Sequence, residues 1–170
     1  MRFLLLLLIA LNGGVSLAQK QAKCVEESFD REVDKYLDYT IPVIDVDSLA
    51  MHMKVYIILD AREYEEYEIS HIAGAHYVGY DNFSIEALAG IPQTQKVVVY
   101  CSIGYRSEKI GEKLRKMGFT DVSNLYGSIF EWTNRGYSIK NMAGKSTDTI
   151  HAYSRGWSKW ITNPEIVKTW

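Results

Sequence analysis

At 170 residues, 47% apolar and 24% charged, the chain has the composition of an ordinary globular protein and excludes a disordered one. A formal net charge of −2 supplies no electrostatic drive toward nucleic acid or an anionic membrane surface. Two cysteines, Cys24 and Cys101, are too few for a disulfide framework, although one pairing between them stays open.

The first residues read as a targeting segment. Arg2 is a short positive region, and Phe3 to Leu11 is an apolar run too short to span a bilayer. Ser16-Leu17-Ala18 then puts small residues at −3 and −1 of a cut before Gln19. Residues 1–18 are expected to be a cleaved secretory signal, leaving an exported protein, periplasmic or secreted, with no membrane attachment after cleavage. An uncleaved anchor is the alternative.

Residues 19–42 are expected to form an N-terminal extension with one helix. Within Ser28 to Tyr39, the four-residue spacing of Phe29, Val33 and Leu37 predicts that helix, and Pro42 ends it. Val43 to Val46 reads as a short strand, and Asp47 or Ser48 as the cap of a helix through Met53. Val55 to Leu59 is an apolar run of the kind found in buried parallel strands. Arg62 to Ile69 reads as a charge-rich helix, His76 to Val78 as a strand, and Ile85 to Ala89 as a helical turn closed by Gly90 and Pro92. Asn82-Phe83-Ser84 is a formal glycosylation acceptor. Lys96 to Tyr100 is a β-branched run, and Ser107 to Met117 a helix with Ile110, Leu114 and Met117 on one face and Gly118 as its C-cap. Val122 to Leu125 is a further strand. Gly127 leads into a helix holding Ile129, Phe130 and Trp132, ended by Gly136. Strands alternating with helices imply a parallel sheet covered on both faces. Residues 141–170 differ, carrying Tyr153, Trp157, Trp160 and Trp170 among few aliphatics. These aromatics either pack on the domain surface or form a lid or partner patch over the active site.

Cys101 carries the chemistry. It sits between the strand ending at Tyr100 and the following helix, and ligands of open α/β sheets bind outside the carboxyl ends of the strands. A helix N-terminus offers unpaired N–H groups and a positive dipole end, which favour a thiolate. A loop curled around the sulfur aims successive N–H groups at it, and Gly104 permits the necessary φ. Arg106 adds a fixed charge and a planar fork for an oxyanion such as thiosulfate. The bland alternative is a buried cysteine acting as a small hydrophobe. His52, His76 and His151 show no metal-ligand spacing.

Two blocks resemble the rhodanese (sulfurtransferase) family. The first is Leu59-Asp60-Ala61-Arg62-Glu63-Tyr64-Glu65-Glu66-Tyr67, followed by His71-Ile72-Ala73-Gly74-Ala75. The second runs from Val97 through Cys101-Ser102-Ile103-Gly104-Tyr105-Arg106-Ser107, with Leu114, Gly118-Phe119, Val122, Leu125, Tyr126-Gly127 and Trp132 after it. The family commonly has proline where this chain has Ala73, and glycine where it has Ser128. The resemblance covers residues 43–140 as a rhodanese-like domain, with 141–170 as an aromatic-rich C-terminal extension. It implies an α/β fold, a five-stranded parallel sheet flanked by helices on both faces. It implies that Cys101 is a persulfide-forming nucleophile and that Ser102, Ile103, Gly104, Tyr105, Arg106 and Ser107 bind substrate. Asp60, Arg62, Glu66 and His71 become structural support. The implied reaction moves sulfur from a small sulfur-containing anion, thiosulfate or a persulfide, to a thiol acceptor (a protein thiol included) or cyanide, with no cofactor and no metal.

Three other readings stay open. One is a non-catalytic binding module of the same fold. Another is redox sensing through Cys24 and Cys101. The third is a phosphatase or arsenate reductase-type enzyme, although four residues separate Cys101 from Arg106 where the phosphatase signature has five, and Tyr100 stands where it has histidine.

Overall fold

The computed structural model describes residues 22–170. The expected signal segment, residues 1–18, lies outside the described residues. No helix among the described residues is long and apolar enough to cross a membrane.

In chain order, α1 (Glu27–Asp34) precedes β1 (Val43–Ile44), α2 (Val46–His52), β2 (Ile57–Asp60), α3 (Tyr64–Ile69), β3 (His71–Ile72) and β4 (His76–Tyr77). Then come β5 (Lys96–Tyr100), α4 (Tyr105–Lys116), β6 (Asp121–Leu125) and α5 (Ser128–Asn134). Four short strands follow: β7 (Ile139–Lys140), β8 (Ser146–Thr147), β9 (Thr149–His151) and β10 (Val167–Thr169).

Several boundaries differ from the sequence reading, for physical reasons. Helix α1 buries Phe29 and Val33 but stops before Tyr39, which takes a left-handed φ of 54°. There the Glu108 carboxylate accepts from the N–H groups of Asp38 and Thr40 at 3.0 and 2.8 Å, an alternative to helical bonding. Asp45, not Asp47 or Ser48, caps α2, because its extended backbone lets its carboxylate accept from Ser48 N–H at 2.9 Å. A 3-10 turn over Met53–Val55 delays β2 to Ile57. Helix α3 starts only at Tyr64, because Glu63 is its N-cap in a capping box, with the Glu66 carboxylate accepting from Glu63 N–H at 3.1 Å. Helix α4 starts earlier than expected, at Tyr105.

The main sheet has the order β1-β6-β5-β2-β4, with every pairing parallel. Its strands are covered on both faces, as alternation along them requires. Ile58, Val98 and Tyr100 face one core cluster with Phe29, Val33, Leu49 and Phe130, from α1, α2 and α5. Leu59, Val97, Val99 and Val122 face the other, with Ile110 and Leu114 of α4. The implied five-stranded parallel sheet with helices on both faces is therefore the observed fold. Strand β5 is central. The chain leaves β2 toward β4 and leaves β5 toward β6, so the carboxyl ends of β2 and β5 flank a topological switch point.

The flanking segments add to the same body. Residues 141–170, which had no predicted elements, supply β8, β9 and β10, and Ile150 and Ile161 join the core cluster of α1. A three-stranded antiparallel sheet, β3-β7-β8, and a parallel β9-β10 pair complete the fold.

Candidate active site

Cys101 follows β5 at the switch point and is 1% exposed. Its Sγ accepts from Gly104 N–H at 3.2 Å and lies 3.5 Å from the Ser107 hydroxyl. Gly104 adopts φ 127°, and a Cβ there would come within 3.2 Å of Leu37, so both conformation and space call for glycine. Asn124, on β6, fixes the loop from behind. Its Nδ2 donates to Gly104 O at 2.9 Å, and its Oδ1 lies 2.7 Å from Ser107 Oγ.

Helix α5 grips the other end of the loop. Gly127 and Ser128 take successive left-handed φ values of 68° and 52°. That turn aims the N–H groups of Ile129 and Phe130 at the carbonyls of Cys101 and Ser102, each at 3.2 Å. Ser128 Oγ accepts from Cys101 N–H at 3.1 Å and donates to Leu125 O at 3.0 Å. The residue that departs from the family pattern thus satisfies a backbone donor of the nucleophile, which glycine has no atom to do.

Burial pushes the Cys101 thiol up. The Arg106 charge, the Ser107 hydroxyl and the N–H groups of Ser107 and Gly104 outweigh it, so the pKa lies below that of an ordinary thiol. Cys24 is the reverse case. Both cysteines are free, but burial and the charges of Glu131 and Asp30 hold Cys24 far above the ordinary range.

Arg106 does not present a free fork. Its Nη1 and Nη2 donate to the two oxygens of Glu66 at 2.6 and 2.9 Å, and Nη2 also reaches Ser102 Oγ at 2.9 Å. The fork is engaged by a carboxylate that is 3% exposed, while Arg106 still lines the cavity above the sulfur. Glu66, expected as structural support, braces the loop through these bonds and accepts from the Ser102 hydroxyl at 3.1 Å.

Asp60 and Arg62 lie beneath it as a buried pair, Nη2 to Oδ2 2.7 Å. Arg62 Nη2 also donates to Ser70 O at 2.6 Å, and the Tyr100 hydroxyl donates to Asp60. Arg62 Nη1 and Ser70 Oγ have no partner among the described residues. His71 stacks on Tyr67 at 4.2 Å and faces Tyr67 O through Nδ1 at 3.1 Å.

Above the sulfur opens a cavity of about 600 Å³. Cys101, Ser102, Ile103, Tyr105 and Arg106 line its base. Gly104 and Ser107, expected to bind substrate, do not line it; they contact the sulfur from behind. Of the walls, the sequence reading reached only the tail aromatics Tyr153 and Trp157, one of whose two expected roles was a lid over the site. Glu63 follows β2, while Tyr80 and Asp81 follow β4, all beyond strand carboxyl ends, which was a usable signal. Tyr36, Tyr153 and Trp157 complete the walls from segments distant in sequence; of these only Tyr36 had no signal in the sequence reading. The tail aromatics both pack and wall the site: Trp160 stacks on Phe29 at 5.8 Å, while the Tyr153 ring lies 5.1 Å from the Arg106 guanidinium carbon.

The family described as "Rhodanese-like domain" matches residues 45–135. The probable adenylyltransferase/sulfurtransferase MoeZ of Mycobacterium tuberculosis is 35% identical over 79 residues, 46% of this chain and 20% of that protein. The tRNA uridine(34) hydroxylase of Listeria welshimeri is 40% identical over 78 residues, 43% of this chain and 24% of that protein. The chain thus spans a quarter or less of the length of these curated relatives. A crystal structure of a Bacillus halodurans protein aligns with a TM-score of 0.55 at 22% identity, covering 67% of this chain and 85% of that one, and shares the fold.

Proposed function

The chain belongs to the rhodanese-like domain family, and from that premise we propose that it is a sulfurtransferase working through a Cys101 persulfide. One observation carries the reading. At the base of an open cavity, the Cys101 sulfur receives Gly104 N–H, with Ser107 Oγ 3.5 Å away and the Arg106 charge beside it, and its pKa is lowered despite burial. That is an activated nucleophile with donors placed for sulfur-borne negative charge.

The Cys101 thiolate attacks the outer sulfur of a sulfane donor, thiosulfate or an organic persulfide. A new S–S bond forms, and the donor's S–S bond breaks with its electron pair leaving on sulfite or on the donor thiolate. A thiol or cyanide acceptor then attacks the outer persulfide sulfur, takes it, and releases the Cys101 thiolate. The loop donors face an anionic sulfur throughout, so they stabilise both half-reactions without rearranging. The phosphatase alternative is disfavoured because the arginine fork that would hold a phosphoryl group is engaged by Glu66. We also assign the protein to an exported compartment, on the apolar run and small-residue cut at residues 1–18. An intact mass of the isolated protein lacking residues 1–18 supports that assignment, and recovery of the uncleaved chain in the cytosolic fraction removes it.

The test of the mechanism is an intact mass after brief incubation with a sulfane donor. A gain of one sulfur atom, reversed by dithiothreitol and absent in Cys101→Ser, is expected. Cys101→Ser should fold normally, since the volume hardly changes. Turnover surviving in Cys101→Ser overturns the mechanism.

A further inference from the structure

We infer that the sulfur carrier this cavity selects is organic and bears a compact cation, such as a primary ammonium, close to its sulfur, in preference to an anionic carrier. This rests on the sulfur-transfer reading and narrows its donor.

Three observations converge on it. The first is size. A cavity of about 600 Å³ is far larger than an inorganic sulfur anion and lies within the range of organic-ligand sites, about 300–1,000 Å³. The second is the wall chemistry. Tyr36, Tyr80, Tyr105, Tyr153 and Trp157 border the space. Aromatic faces carry negative electrostatic potential, which attracts cations and repels anions. The protein's own cations already use two of these rings: Arg106 lies over Tyr153 at 5.1 Å, and Lys113 over Tyr80 at 5.8 Å.

The third is charge. Glu63 and Asp81 line the cavity, and neither forms an ion pair among the described residues. Glu63 Oε1 accepts a long bond, 3.3 Å, from Asp81 N–H, which holds the two residues side by side. The guanidinium at the base is matched by Glu66. An entering dianion therefore meets a thiolate, two carboxylates and an arginine whose fork is already paired with Glu66. An ammonium group meets two carboxylates without a cation and aromatic faces, while its sulfur reaches Cys101.

The probes are three thiosulfonates with the same reacting group: 2-ammonioethyl, 2-hydroxyethyl and 2-carboxyethyl thiosulfonate. In each, the Cys101 thiolate attacks the terminal sulfur and an S–S bond forms. The bond from that sulfur to the sulfonyl sulfur breaks, and its electron pair leaves on the sulfinate. The readout is the second-order rate of sulfur gain by the full mature chain, followed by intact mass and divided by each probe's rate with a small free thiol. The ammonium probe should load about tenfold faster than the carboxylate probe, as two partly exposed ion pairs imply, with the hydroxyl probe between them. That preference should collapse in the Glu63→Gln/Asp81→Asn double variant and should shrink at high salt. The first of these substitutions keeps a side-chain carbonyl oxygen to accept from the backbone N–H of Glu66, in the capping box of α3, or of position 81, and unchanged far-UV circular dichroism of the double variant is required for its charge effect to count. Loading without this charge order, or an order unchanged in the double variant, overturns the inference and leaves sulfur transfer standing. Loading by none of the three overturns both.

Discussion

At Cys101 burial and local charge oppose each other, and the local donors win. The sulfur loses water, yet Arg106, Ser107 and Gly104 favour its anion more than burial disfavours it. Glu66 is balanced in the same way. Burial pushes its carboxyl up, but the hydrogen bonds and charge of Arg106, with the charge of Arg62, hold it below the ordinary carboxylate range. A folded-state pKa depressed below the unfolded value means the pair's contribution is complete above the ordinary glutamate value of 4.5. It is lost as pH falls through the folded value. Glu66→Gln should therefore reduce stability by about 3 kcal/mol at pH 7 in urea unfolding, with the difference from the parent shrinking as the solution is acidified below that range. The same substitution removes a negative neighbour of Arg106. The Cys101 alkylation rate should consequently rise at lower pH than in the parent, measured with iodoacetamide.

At the scale of elements, the nucleophile loop is held between two helix starts. Helix α4 begins within it, and the first turn of α5 binds the carbonyls of Cys101 and Ser102. The price of that grip is two left-handed residues in a row, Gly127 and Ser128. A Cβ on Gly127 would fall 2.6 Å from Glu131 Cβ and 2.8 Å from Cys24 Sγ. Gly127→Ala should therefore destabilise the protein by about 2 kcal/mol or more. Ser128→Ala keeps the unfavourable φ and leaves Cys101 N–H without its hydroxyl partner, a loss of about 1–3 kcal/mol. Ser128→Gly loses the same bond but relieves the backbone by about 1 kcal/mol, so it should unfold at higher urea than Ser128→Ala. Equal midpoints for the two variants would remove the backbone term.

At the scale of the molecule, the terminal segments and the sheet share one core. Phe29 and Val33 from α1 meet Ile150 and Ile161 from the tail within the cluster that also holds Leu49 and Phe130. Asn134, at the end of α5, clamps the tail: its Nδ2 donates to Trp160 O at 2.9 Å, and its Oδ1 accepts from Thr162 N–H at 2.7 Å. This anchorage puts Trp157 against Tyr36, with ring centroids 5.3 Å apart, at the cavity wall. Ile161 is 1% exposed, so Ile161→Ala should cost about 2–5 kcal/mol. Far-UV circular dichroism and tryptophan fluorescence should still report one coincident transition, because the tail unfolds with the sheet. A separate early transition in fluorescence alone would show the tail to be an independent unit.

The sequence by itself determined the parallel sheet, the helices α4 and α5, and the position of Cys101, because these rest on local signals. Lys96 to Tyr100 is a continuous β-branched run, Ile110 and Leu114 recur at helical spacing, and the Cys101 loop lies between them. Within that loop Gly104 was legible too, since its backbone requirement is local. Tertiary structure alone decided who partners whom. Arg106 is tied to Glu66, forty residues away. Ser128 supplies the partner of Cys101 N–H, and Asn124 steadies the loop from a neighbouring strand. The cavity's aromatic and acidic walls gather Tyr36, Glu63, Asp81, Tyr153 and Trp157 from four regions of the chain. Side-chain pairing and pocket lining depend on distances in space between elements, and periodicity along a chain carries no record of those distances.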